Sequence, residues 1–170
     1  GYGRKLAAIQ NDIMQSVQLV FPNLYGPNDH ISEIRAHALG ALCMKFVRAD
    51  INNQNWIDLW GTGRPIREWL YVRDAAEAIK NSIYVELPNK PINISTALGL
   101  SIYELAEKIQ SLVNPKIEII IDASKEDGAY SKLLKPSMWI KNLSWAPKMN
   151  IDEGLLETVN YYREKLHNDL

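Results

Sequence analysis

Short β-branched runs alternate with amphipathic helical patterns along the whole 170-residue chain. That alternation commits it to an α/β architecture, because each helical stripe needs a sheet face to cover it. Leu6, Ile9, Ile13 and Met14 recur at helical spacing within Lys5–Met14. Val17–Phe21 reads as a buried strand closed by Pro22, and Asn23–Asp29 reads as a turn punctuated by Gly26 and Pro27. Ile34, Ala38, Leu39, Leu42, Phe46 and Val47 predict a helix from Ser32 to about Asp50. Trp56–Trp60 and Ile66–Val72 predict strands on either side of the Gly61–Pro65 turn. Asp74 is expected to cap a helix over Ala75–Val85, and Pro91–Ser95 to form another strand. Ser101 and Glu104 have capping-box spacing ahead of a helix ending at Val113. Ile117–Ile121 is the clearest strand, and Asn150 caps a last helix to about Lys165.

Charge and composition remove several function classes. Lys+Arg 19 against Asp+Glu 20 leaves a net charge of −1, without the basic footprint of a nucleic-acid binder. No apolar run approaches the roughly 18 residues of a membrane span, and the N-terminal stretch has no secretory pattern. The single cysteine, Cys43, forms no internal disulfide, and no metal-ligand spacing is present. A soluble, cytoplasmic protein without nucleic-acid or membrane partners is expected. The glycine-rich turn that cradles a dinucleotide pyrophosphate is missing: Gly1-Tyr2-Gly3 has no strand before it and no third glycine.

Three stretches carry a resemblance. The first is Asn23-Leu24-Tyr25-Gly26-Pro27, with His37 at the tenth position beyond. The second is Trp60-Gly61-Thr62-Gly63-Arg64-Pro65-Ile66-Arg67-Glu68-Trp69, with Val72 and Asp74. The third is Asp122–Gly128, with Lys132-Leu133-Leu134 just beyond. Together they resemble the C-terminal half of an extended short-chain dehydrogenase/reductase of the NAD-dependent epimerase/dehydratase family, in its GDP-L-fucose synthase-like branch. The resemblance implies the end of a Rossmann-type sheet plus a smaller α/β substrate-binding domain. Residues 1–29 would supply an active-site helix and a late strand of the Rossmann part. Residues 30–170 would mainly form the nucleotide-sugar domain, with about 66–95 returning to the Rossmann part. The glycine-rich half would lie outside these residues.

The implied activity is NADPH-dependent conversion of GDP-4-keto-6-deoxy-D-mannose to GDP-L-fucose, by 3,5-epimerisation and then 4-keto reduction. NADP is the implied cofactor, with NAD as the alternative, and a GDP-sugar the implied substrate of a homodimer. Tyr2 and Lys5 match the catalytic Tyr and Lys, at a spacing of three where the family has four, and Lys5 would also hold the nicotinamide ribose. His37 would move protons α to the carbonyl, a task suited to an imidazole, and would lie beside the cofactor. Phe21, Pro22, Asn23 and Leu24 match the segment at the nicotinamide end. Lys45, Trp60, Arg67, Asp127 and Lys132 match positions around the nucleotide diphosphate and its sugar, where Arg bonds phosphate bidentately and Trp offers a stacking face. Lys45, eight positions after His37, is expected on the same helix face. The alternatives are another nucleotide-sugar epimerase, dehydratase or 4-reductase, and a non-catalytic sugar-nucleotide-binding fragment.

Overall fold

The computed structural model describes residues 16–32 and 35–167. The helix expected over Lys5–Met14, with Tyr2 and Lys5, lies outside the described residues. Along the described chain run β1 (Gln18–Val20), β2 (Asn23–Tyr25), α1 (Ala38–Ile51), β3 (Trp56–Trp60), β4 (Ile66–Tyr71) and α2 (Val72–Ser82). They are followed by β5 (Pro91–Asn93), β6 (Gly99–Ser101), α3 (Ile102–Val113), β7 (Glu118–Asp122), β8 (Ser131–Lys132), a 3-10 turn (Met138–Leu143) and α4 (Ile151–His167). The α/β class is as expected.

Pairing is mostly parallel, with β1 on β5, β2 on β4 and β3 on β7, while β6 joins β4 antiparallel and β8 joins it parallel. Two apolar cores result. The larger packs Leu39, Cys43, Phe46 and Val47 of α1 against Leu105 and Ile109 of α3 and Val159 and Tyr162 of α4. The smaller gathers Leu70, Ala75, Ala78, Ile92 and Ile94 with Leu143 and Trp145.

Several local expectations are corrected. The turn expected over Asn23–Asp29 is a strand as far as Tyr25, because Asn23, Leu24 and Tyr25 pair in register with Trp69, Leu70 and Tyr71. The strand before it stops at Val20, since Pro22 has no N–H to continue a ladder. The helix expected from Ser32 begins at Ala38: the Ser32 carbonyl closes a turn on Arg35 and Ala36, and His37 is the extended N-cap. Asp74 does not cap α2. Tyr71 is the N-cap, and the buried Asp74 carboxylate instead accepts the backbone N–H groups of Lys148 and Met149, both at 3.1 Å. That long-range tie fixes the segment leading into α4. The helix ends at Ser82, short of Val85, and β5 ends at Asn93, releasing Ser95 to a side-chain role described below.

The capping box forms as expected. The Ser101 hydroxyl accepts from the Glu104 N–H at 3.1 Å, and the Glu104 carboxylate accepts from the Ser101 N–H at 2.8 Å. Those bonds hold the Glu104 carboxyl below its ordinary range. A depressed folded-state value means the contribution is present at neutral pH and fades as pH falls through it. Ser101→Ala is expected to cost about 1 kcal/mol, read as a lower urea midpoint at neutral pH. The deficit should narrow in acid. Asn150 likewise bonds the Glu153 N–H at 2.9 Å at the start of α4.

Candidate functional site

The motif residues gather around two clefts and one strand edge. The first cleft, about 180 Å³, lies where β2 runs into Gly26-Pro27-Asn28-Asp29, and His37 and Val72 close it. Gly26 has a φ of +145°, and a Cβ there would stand 2.7 Å from Val72 Cγ1, so this turn needs glycine. Asp29 organises the cleft. One oxygen of its carboxylate accepts the His37 backbone N–H at 3.3 Å and stands 3.4 Å from His37 Nδ1. The same residue thus fixes the entry into α1 and orients the ring. A carboxylate at Nδ1 favours a proton on that nitrogen, leaving Nε2 as the basic one. The imidazole side chain is 67% exposed and therefore accessible to a ligand.

Tyr25 lines this cleft, and Tyr71 stands behind its Gly26 turn. Tyr25 and Tyr71 meet edge to face with ring centroids 5.5 Å apart. Tyr71 donates a short hydrogen bond to Glu157, which also pairs with Arg73 at 3.3 Å. Burial, then the Glu157 bond, push the Tyr71 phenol up to about 12, and burial raises Tyr25 as well. Both stay protonated and neither is tuned as a proton donor; they buttress the turn.

The second cleft, about 390 Å³, has a floor of Ala38, Ala41 and Leu42 from α1 with Leu59 of β3, and a rim of Lys45, Asp58 and Trp60. Lys45 Nζ donates to the Asp58 carbonyl at 3.1 Å and to its carboxylate at 2.9 Å. The ammonium also lies 4.9 Å from the Trp60 ring centroid, and that of Lys125 lies 5.8 Å from it. Burial pushes the Asp58 carboxyl up, but the bond and charge of Lys45 outweigh it and hold the group below its ordinary range. Asp58 is therefore a carboxylate at neutral pH.

The expectation that His37 and Lys45 share one helix face is corrected here. His37 precedes the helix in extended backbone and lines the first cleft, while Lys45 lines the second with Ala38, Ala41 and Leu42. The second cleft runs along α1 from Lys45 back to Ala38 and to Ala36 before it, while His37 between those two lines the first.

Arg67 and Lys132 are brought together at the strand edge. They are register partners across β4 and β8, so two cations separated by 65 positions become neighbours. Gly128 passes close by: a Cβ there would stand 3.1 Å from Arg67 Nη2. Asp127 holds this loop down, accepting the Thr62 N–H at 2.8 Å and the Thr62 hydroxyl at 2.5 Å. Gly61, with φ +77°, leaves room, since a Cβ there would collide with the Asp127 carboxylate. The Thr62 bonds, with smaller effects from Arg64 and Arg67, keep Asp127 below its ordinary range. Asp127 is thus engaged as a loop latch beside the cation pair.

The remaining expected residues are divided. Leu24 lines the first cleft, whereas the Asn23 side chain donates to the Glu68 carbonyl at 3.0 Å. Phe21 packs on the smaller core, and Pro22 links β1 to β2 without a donor of its own. Leu24 thus gives the first cleft an apolar wall, and no glycine-rich pyrophosphate cradle is found among the described residues. Sequence reading did not single out Asp29 or Asp58 for a site. Asp29 carried a legible turn signal but no sign of its contact with His37, and Asp58 carried only strand alternation.

The chain is similar to known proteins over most of its length. Residues 5–94 match the model of the NAD dependent epimerase/dehydratase family. GDP-L-fucose synthase 1 of Arabidopsis thaliana is 34% identical over 146 residues, covering 86% of this chain and 45% of that protein. GDP-L-fucose synthase of Escherichia coli is 32% identical over 151 residues, covering 84% and 47%. The chain thus spans about half the length of the curated relatives it matches. Among solved structures, a GDP-L-fucose synthetase from Naegleria fowleri bound to NADP superposes with a TM-score of 0.82 at 24% identity, covering 98% of this chain and 52% of that one. A GDP-6-OMe-4-keto-L-xylo-heptose reductase from C. jejuni superposes at 0.85 with 21% identity, covering 96% and 59%. These likenesses establish the fold.

Proposed function

Because the chain belongs to the NAD dependent epimerase/dehydratase family, we propose that it supplies the substrate-binding and proton-transfer part of an NADPH-dependent GDP-sugar epimerase/reductase. The reaction proposed is conversion of GDP-4-keto-6-deoxy-D-mannose to GDP-L-fucose. The Asp29–His37 pair in an accessible cleft at the family's Asn-Leu-Tyr-Gly-Pro turn carries this reading, and the names of the curated relatives support it.

A 4-keto group acidifies the hydrogens on C3 and C5. His37 Nε2, with Nδ1 directed at Asp29, takes one of these protons and returns it, and Asp29 stabilises the imidazolium formed in between. Inversion also needs a proton donor on the opposite face of the sugar, expected from the half of the enzyme that these residues do not span. NADPH, when bound, would supply the hydride for reduction at C4; Leu24 would help hold its nicotinamide end, Lys5 its ribose, and Tyr2 would supply the proton. Arg67 and Lys132 neutralise the diphosphate, and the cleft at Trp60 takes the nucleoside. The division near residues 29 and 30 belongs to the same reading. It is supported by β4 and β5, from the 66–95 span, pairing with β2 and β1. A homodimer and a cytoplasmic location enter through the resemblance alone.

The test is deuterium uptake. Incubating the protein with GDP-4-keto-6-deoxy-D-mannose in D2O should exchange the C3 and C5 hydrogens, read by NMR, because exchange by a single base needs no hydride donor. Absence of exchange in a protein that still binds GDP would favour the binding-fragment reading, for which the cation pair is built wholly from described residues. Arg67→Ala should weaken GDP binding about ten- to a hundredfold by calorimetry, as expected for losing a bond to a charged group. An unchanged affinity would return Arg67 to a purely structural role.

A further inference from the structure

The second cleft has one feature that phosphate or sugar recognition leaves unused. Its floor is apolar, and a single carboxylate, Asp58, stands on its wall. Lys45 occupies one carboxylate oxygen, and the Asp58 side chain remains 40% exposed. An ionised carboxylate accepts at about four lone-pair positions, so acceptor capacity is left over. Trp60 is 63% exposed beside it and presents a flat aromatic surface. The volume, about 390 Å³, is within the range of small-molecule pockets.

An acceptor-only group next to a stacking surface discriminates among nucleobases. Guanine presents adjacent N1–H and N2–H2 donors on one edge. Adenine and cytosine each place an acceptor beside their amino group, and uracil flanks its N3–H with two carbonyls. A carboxylate meets two donors only on guanine, and faces lone pairs on the others. We propose that Asp58 selects guanine as the base of the bound nucleotide, its carboxylate accepting the N1–H and N2–H2 edge while the ring packs on Trp60. The proposal rests on the nucleotide-sugar reading above and adds to it the residue that chooses the base.

Calorimetric titration of the full chain with GDP, IDP, UDP and ADP tests it. IDP is guanine's analogue without the 2-amino group, so GDP should bind about tenfold more tightly than IDP, with UDP and ADP weaker than GDP. Asp58→Asn, nearly isosteric but carrying a donor, should bring GDP and IDP to within about twofold. Lys45→Met breaks the same ion pair but leaves the carboxylate. It should retain the GDP-over-IDP preference even as overall affinity falls. A preference unchanged in Asp58→Asn, or lost equally in Lys45→Met, would overturn the assignment, as would wild-type protein binding GDP and IDP alike. Wild-type protein that binds none of the four would instead overturn the nucleotide reading itself.

Discussion

Glu68→Ala is expected to destabilise the protein by about 3–5 kcal/mol, among the largest effects available to one substitution. The Glu68 side chain is wholly buried on β4, with 0% exposure, yet its hydrogen-bond partners among the described residues include no cation. Instead it is a hub of donors. One oxygen accepts from the Ser95 hydroxyl and the Thr96 N–H, both at 2.7 Å, and the other from the Leu134 N–H at 2.9 Å. Truncation strands the Thr96 and Leu134 N–H groups, at about 1–3 kcal/mol each before relaxation, while the Ser95 hydroxyl can still donate to the Leu134 carbonyl at 2.8 Å. Ordinary domains have only about 5–15 kcal/mol in total, so the urea midpoint should collapse. Glu68→Gln should fall between, because its amide N–H2 opposes one of the donors it replaces an acceptor for. A loss below about 1 kcal/mol in Glu68→Ala would mean that water reaches these donors. The effect should extend to the site, since the same carboxylate fixes the backbone just after Lys132 and next to Arg67.

His37→Ala should lower deuterium exchange at C3 and C5 of the 4-keto sugar by about 10²–10⁴-fold, the usual contribution of a positioned general base. GDP affinity should be nearly unchanged, because His37 lines the first cleft and the phosphate and base partners belong elsewhere. Asp29→Asn gives a finer test. It keeps the shape of the side chain but withdraws the charge 3.4 Å from Nδ1, so the exchange rate should fall less than in His37→Ala. Wild-type exchange by His37→Ala would remove the histidine from the mechanism.

The local elements were readable because their causes are local. The Ser101–Glu104 capping box, the Asn150 cap and the stripes of α1 and α3 are set by residues three or four positions apart. The short strand Asn23–Tyr25 was not readable in that way. Its three residues carry turn-adjacent chemistry, and only the partner strand Trp69–Tyr71 makes them β. Asp74 shows the same limit at a single side chain: its sequence position suits a cap, but the backbone at Lys148 and Met149 claims it from more than 70 residues away.

By itself, then, the sequence determined the α/β class, the positions of most helices and the motif residues that resemble one enzyme family. Tertiary structure decided which of those residues meet. It set His37 against Asp29, joined Lys45 to Asp58 under Trp60, and placed Arg67 beside Lys132. Helix and strand periodicity specify the face on which a residue stands, within a few positions. The partner it meets there is fixed by strand register and loop closure across 65 residues or more, which no local pattern encodes.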